Sequence, residues 1–233
     1  MSYIRKLRIA APVAIVTLAL SAGCATKSTQ PQYSGWLKDY SGLTEQTDPK
    51  GNKVMRYVSP DLTAANYDAL LIEPVDFYPE PQTSPQVSAE ALQKLALYMT
   101  QKMKEDCAAK GVKVVDAPGK GVVRLRTAIT SVGVQVEGRS AYQYIPQAFV
   151  VSAAYRASAG NPYQGALRLE IEATDSMTGE RLVVSVRNGV GEALGRARSE
   201  AQAPILTVDS VKSVVDKWAD GGSDQAAAWF AKK

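Results

Sequence analysis

"LRLEIEATDSMTGERLVVSVRN", residues 167–188, is the stretch that decides the fold. Leu167, Leu169, Ile171 and Ala173 alternate with Arg168, Glu170 and Glu172, and an apolar period of two predicts a half-buried β-strand. "DSMTGE" supplies the turn, with Gly179 for a positive φ, and Leu182 to Arg187 form the return strand. Glu170 and Glu172 project from one face of the first strand. The alternation reads them as the solvated side of a sheet, not as a catalytic or metal-binding pair.

Working outward, residues 122–136, "VVRLRTAITSVGVQV", predict a long neighbouring strand. Its apolar positions are odd at Val123, Leu125 and Ile129, then even at Val132, Val134 and Val136. One extra residue restores the facing of such a strand, so a bulge or bend is expected between Thr130 and Gly133. "GVKVVDAPGKG" before it gives a short strand and a turn.

Residues 88–110 make the strongest helix. Ser88 can cap it, Leu92, Leu95, Ala96, Met99, Met103 and Cys107 recur at three or four, and Gly111 ends it. Cys107 lies in the apolar stripe and reads as a buried, inert thiol. "YDALLIEPVDFYPEP", residues 67–81, reads as a buried strand that Pro74 pushes toward an edge. "SGWLKDYSGL" and "VMRYVSPDL" read as an irregular arm and a short strand separated by the polar loop "TEQTDPKGN", with Trp36, Leu37, Tyr40 and Leu43 as anchors. Two helices close the chain, one over about Val208 to Ala219 and a short one after "DGGSD", with Thr207 and Ser223 as their caps. These elements predict a single α+β domain over residues 36–233, a mixed or largely antiparallel sheet with helices packed on one face.

The inventory of side chains narrows the chemistry. The chain has no histidine and two cysteines, Cys24 and Cys107. Histidine-based zinc sites and Ser-His-Asp or Cys-His catalysis are therefore excluded. "GVGEALG", residues 189–195, has the spacing G-x-G-x-x-x-G in place of a dinucleotide fingerprint, and "APGKG", residues 117–121, lacks that of a phosphate loop. Both read as turns. No cofactor or metal is expected, and the expectation is a protein that is not an enzyme.

Residues 137–165 stand out for five aromatics, Tyr142, Tyr144, Phe149, Tyr155 and Tyr163, out of seventeen in the chain. One reading is a connection that folds down and fills the core. The other, retained as the candidate contact with a partner, is a tyrosine-rich surface.

The N-terminus addresses location. Arg5, Lys6 and Arg8 form a positive region ahead of the apolar run Ile9 to Leu20, which has the form of a secretory signal and is too short to span a bilayer. Ser21, Ala22 and Gly23 lead into Cys24, a pattern that resembles the bacterial lipobox, with Ser21 where Leu is usual. The resemblance implies cleavage after residue 23 and lipidation of Cys24. Residues 24–35 then serve as the lipidated cysteine and a flexible tether. Removing residues 1–23 removes three positive charges and takes the formal balance from +4 to +1. A near-neutral chain without a basic run offers no electrostatic footprint for nucleic acid.

"SGWLKDYSGL", "RYVSPDL" and "YDALLIEPV", in this order behind a lipobox, together with the "TDSMTGERL" hairpin, resemble a family of proteobacterial lipoproteins, domain of unknown function 3313. The resemblance implies an α+β domain and a lipid anchor, and it brings no catalytic residue. Ala25 after the cysteine, in place of the Asp that marks inner-membrane retention, implies the outer membrane with the domain facing the periplasm. The expected function is that of a non-enzymatic accessory or scaffold protein, held to the membrane by its lipid and binding another envelope component, expected to be a protein. The alternative is a domain that binds a small molecule or glycan.

Overall fold

The computed structural model describes residues 33–48, 51–137 and 160–231. The hairpin that anchors the sequence reading is present and longer than its alternation predicts. β7 (Asn161–Asp175) and β8 (Arg181–Ala197) pair antiparallel around the turn at Gly179, whose φ is 76°. β6 (Val122–Val136) pairs antiparallel with β7, and the register shifts between Ile129 and Ser131. Thr130 is thus the extra residue that moves the inward face from odd to even positions. Ile129 then opposes Leu169, and Val132 opposes Leu167.

On one side of this triplet β2 (Lys53–Val58) pairs with β8, and β1 (Thr44–Thr47) pairs with β2, both antiparallel. The loop expected at residues 44–52 therefore contains an edge strand. All four residues of β1 are exposed, so no apolar alternation marks them. On the other side β3 (Ala69–Ile72) runs parallel to β6, and β5 (Lys113–Val115) runs parallel to β3. After Pro74 the chain returns to β6 as the two-residue β4 (Asp76–Phe77). Among the described residues the result is one mixed eight-stranded sheet in an α+β fold, ordered β1-β2-β8-β7-β6-β3-β5, with β4 beside β6.

Two helices cover one face. α1 (Ala89–Ala109) begins where the Ser88 side chain accepts a hydrogen bond from the Ala91 N–H at 3.1 Å, and it ends before Gly111 at φ 76°. α2 is a single helix, Lys212–Phe230, which runs through the "DGGSD" sequence that reads as a break. Each helical glycine costs about 1 kcal/mol relative to alanine. Tertiary contacts offset that cost: Lys110, the C-cap of α1, donates to the Asp220 carbonyl and carboxylate and pairs with Asp224, and Trp218 and Ala226 are buried. Neither expected cap serves. Val211 is the N-cap without a side-chain bond, and Ser223 lies inside the helix with its hydroxyl on the Asp220 carbonyl.

The "GVGEALG" segment is also strand, not turn, being part of β8. Its glycines serve close approach. A Cβ on Gly191 would sit 2.1 Å from the Ser210 carbonyl oxygen, and one on Gly189 would sit 2.5 Å from Val214. Gly165 of β7 meets the same carbonyl, and the Glu192 N–H donates to it at 3.0 Å. The small residues let the entry to α2 lie directly on the sheet.

The opposite face is covered by the arm. Leu37 packs with Val184 and Val186, surrounded by Tyr33, Trp36, Tyr40 and Leu43. Glu170, expected to be solvated, is 0% exposed beneath it. The Ser34 N–H donates to its Oε1 at 2.9 Å and the Tyr40 hydroxyl to its Oε2 at 2.6 Å. Glu172 keeps partial exposure and pairs with Arg126, whose guanidinium lies 4.9 Å from the Trp36 ring centroid. A face polar in sequence is buried because the arm brings hydrogen-bonding groups to it. Among the described residues no helix is long and apolar enough to cross a membrane.

Candidate functional site

A cavity of about 90 Å³ lies between the sheet and the two helices. By the same kind of measure a single water needs about 15 Å³. Met99 and Met103 of α1, Trp218 and Trp229 of α2, and Leu169 and Ile171 of β7 form its apolar walls.

Its sheet wall changes character toward β2. The strand registers place Thr127 opposite Ile171, Ile171 opposite Ser185, and Ser185 opposite Arg56, which makes one row across β6, β7, β8 and β2. Two residues further along β8, on the same face, stands Arg187, opposite Leu169. Arg56, Thr127, Ser185 and Arg187 all line the cavity and all are buried.

Arg187 has a counter-ion. Asp48, in the turn between β1 and β2, places Oδ2 3.3 Å from Arg187 Nη1. Asn52 fixes that carboxylate with its backbone N–H at 2.9 Å and its side-chain amide at 3.1 Å. Burial, reinforced by the positive charge of Arg56 and opposed by Asp48, pushes the Arg187 guanidinium down to about 10. Arg56 is also lowered, by burial, against the pull of Asp48. Both guanidiniums remain protonated at neutral pH.

Four polar atoms of this wall have no hydrogen-bond partner among the described residues: Arg56 Nη2, Arg187 Nε, Thr127 Oγ1 and Ser185 Oγ. Each unmade bond at a buried polar group costs about 1–3 kcal/mol. The wall is a cluster of donors facing a largely apolar space, and no carboxylate lines it among the described residues. Cys107 also lines the cavity, and burial, with a smaller push from Asp106, raises its thiol to about 11. It stays protonated at neutral pH and packs as a small apolar group. Among the described residues no cluster of three or more candidate ligands could hold a metal ion.

The residues singled out from sequence fall elsewhere. Cys24, Tyr142, Tyr144, Phe149 and Tyr155 lie outside the described residues. Tyr163, grouped with them as a partner contact, is 1% exposed in β7 and belongs to the main core cluster, so it fills the interior. The alternation that points it inward is that of Leu167 and Leu169. No motif marks Arg56, Thr127, Ser185 or Arg187 in the sequence. One signal was available: "LVVSV" in β8 is apolar on both faces, so Ser185 and Arg187 in line with it belong to a buried position.

Comparison with known proteins gives the following matches. The family model described as "Protein of unknown function (DUF3313)" matches residues 32–221. The uncharacterized lipoprotein YdcL of Escherichia coli strain K12 is 34% identical over 203 residues, which are 87% of this chain and 88% of that protein. Among solved structures, the PelC dodecamer from Paraburkholderia phytofirmans aligns over 77% of this chain and 98% of that one, at 13% identity and a TM-score of 0.37. A minor lipoprotein from Acinetobacter baumannii aligns over 70% of this chain and 94% of that one, at 12% identity and a TM-score of 0.34. Similarity at this level carries no statement about ligand or partner.

Proposed function

The chain belongs to the DUF3313 family, and from that premise we propose that it is a non-enzymatic lipoprotein of the outer membrane, anchored through Cys24, whose periplasmic domain binds a small molecule of the cell envelope. The cavity between the sheet and helices carries this reading. Its walls are largely apolar side chains from α1, α2 and β7, and its sheet side carries four hydrogen-bonding atoms without partners among the described residues, two of them on arginines. Donors of this kind bind and orient. A guanidinium or an aliphatic hydroxyl without a neighbouring base does not move protons at neutral pH, which supports binding over catalysis.

The arm offers less to a partner than its sequence suggests. Leu37 is buried, and the Tyr40 hydroxyl is engaged with Glu170. That favours a ligand in the interior over docking at the arm.

Two measurements test the proposal. Metabolic labelling with a palmitate analogue, followed by membrane fractionation, should find wild type labelled in the outer membrane and Cys24→Ala unlabelled. Thermal unfolding of the lipidated protein in vesicles should show a higher Tm with a neutral apolar probe such as decanol, since a ligand of the native state alone stabilises it. Ala226→Leu, which fills the cavity from α2, should abolish that rise. No rise with decanol or with any charged analogue would remove the binding reading.

A further inference from the structure

Two arginines buried side by side call for a reason. Arg56 is 7% exposed and Arg187 is 5% exposed, on adjacent strands of the sheet. Buried charges are ordinarily paired and hydrogen-bonded, because desolvation costs several kcal/mol per ion. Here two guanidiniums meet one carboxylate, that of Asp48, which contacts Arg187 through Nη1. No hydrogen bond or ion pair of the Arg56 guanidinium is found among the described residues, and its Nη2 and the Nε of Arg187 are without acceptors. Positive charge is in excess at the sheet wall of the cavity. Ser185 Oγ, directly across from Arg56, and Thr127 Oγ1, in the same row, add two further donors without partners.

An oxyanion supplies acceptor lone pairs to Arg56 Nη2, Arg187 Nε and Ser185 Oγ, on two adjacent strands, and a second negative charge beside that of Asp48. A guanidinium is suited to carboxylate or phosphate because its planar fork matches two oxygens at once. The remaining walls, Met99, Met103, Trp218 and Trp229, suit a flexible apolar chain, since thioethers and indole faces adapt to such contacts. We infer that the cavity is a site for an amphiphile with one oxyanion head, a carboxylate or a phosphate monoester, held by Arg56, Arg187 and Ser185 on the adjacent strands β2 and β8, with its tail between α1 and α2. This rests on the binding function proposed above and names the class of ligand.

Trp218 and Trp229 report occupancy directly. The lipidated full-length protein, reconstituted in phosphatidylcholine vesicles, is titrated with terminally brominated decanoate, decyl phosphate and decanol, and with inorganic phosphate, while tryptophan fluorescence is followed. A bromine on the tail quenches the indoles it reaches. Hydrogen bonds to charged groups contribute about 1.5–3 kcal/mol, or roughly 10–100-fold in affinity. The decanoate or the decyl phosphate should therefore quench at about tenfold lower concentration than the alcohol. Which of the two binds tighter assigns the head to a fatty acid or to a phospholipid fragment. Arg56→Gln, which leaves the Arg187–Asp48 ion pair in place, should keep the fold and erase the preference for the charged heads. Arg187→Gln removes the buried ion pair with Asp48 and is expected to fold less well, so Arg56→Gln is the deciding variant.

Equal quenching by decanol and both anions in wild type would overturn the oxyanion head and leave the apolar binding reading standing. Displacement by inorganic phosphate as effective as by decyl phosphate would overturn the role of the tail. Absence of quenching by every probe, with no change in Tm, would mean that water alone satisfies the four donors, and both the inference and the binding reading would fall.

Discussion

Tyr40 and Glu170 lie 130 residues apart, and the Tyr40 hydroxyl donates to Glu170 Oε2 at 2.6 Å. The same hydroxyl accepts from the Gly35 N–H at 2.9 Å and the Leu37 N–H at 3.2 Å, so one oxygen gathers the arm onto the sheet. Tyr33 stacks on the Tyr40 ring with centroids 4.2 Å apart. Tyr40→Phe keeps the ring and leaves a fully buried carboxylate one donor short. The expected loss is roughly 1–3 kcal/mol, read as a lower urea midpoint. Faster proteolysis confined to residues 33–43 should accompany it. An unchanged midpoint would show that the arm does not depend on this bond.

The glycines of β8 and α2 make opposite predictions. Gly191→Ala places a Cβ 2.1 Å from the Ser210 oxygen, against backbone that cannot yield cheaply. It should destabilise by roughly 3 kcal/mol, the upper range for overpacking. At Gly222 a Cβ meets nothing within 4 Å, inside a helix. Gly222→Ala should stabilise by roughly 0.5–1 kcal/mol. Thermal melts of the two variants beside wild type check both signs.

Alkaline pH should unfold this protein earlier than its charge balance suggests. The Tyr67 hydroxyl donates to Asp175 Oδ2 at 3.1 Å, and burial followed by that bond raises its pKa from 10.0 to about 12. The native state keeps this proton where the unfolded chain has released it. The stabilisation is thus fully present below pH 10 and lost as pH rises to about 12. Denaturant midpoints measured across this window should fall, and Tyr67→Phe should flatten the fall.

Cys107 should be chemically silent. Its thiol is raised to about 11, first by burial and then by the charge of Asp106, and its side chain lies in the stripe of α1 that faces the core. Labelling by a thiol reagent at neutral pH should proceed only through opening of the fold, at the rate of amide exchange in the middle of α1. Rapid labelling of the native protein would contradict this placement.

Much of the fold was legible because its signals are local. The alternation of Leu167 to Ala173 and the turn at Gly179 define the hairpin, the change of parity in β6 locates the bulge at Thr130, and Ser88 and Gly111 bound α1. Elsewhere tertiary contact overrides local preference. β1 is an exposed edge strand paired with β2. α2 continues through Gly221 and Gly222 because Lys110 and the core hold both halves. The glycines of "GVGEALG" answer to Ser210 and Val214, which no turn pattern reveals.

The candidate site shows the same division. Periodicity determines which face a residue takes, so sequence by itself gave Ser185 and Arg187 a common side of β8 and Cys107 an inward side of α1. It does not say which strand lies alongside. Only the tertiary structure set Arg56 opposite Ser185 and brought Asp48 to Arg187 across 139 residues. Strand order and register follow from the burial of all faces at once, since each strand's neighbour is chosen by the total packing and not by its own residues. For the same reason Glu170 reads as solvated in its strand and is buried in the molecule, where the arm closes over it.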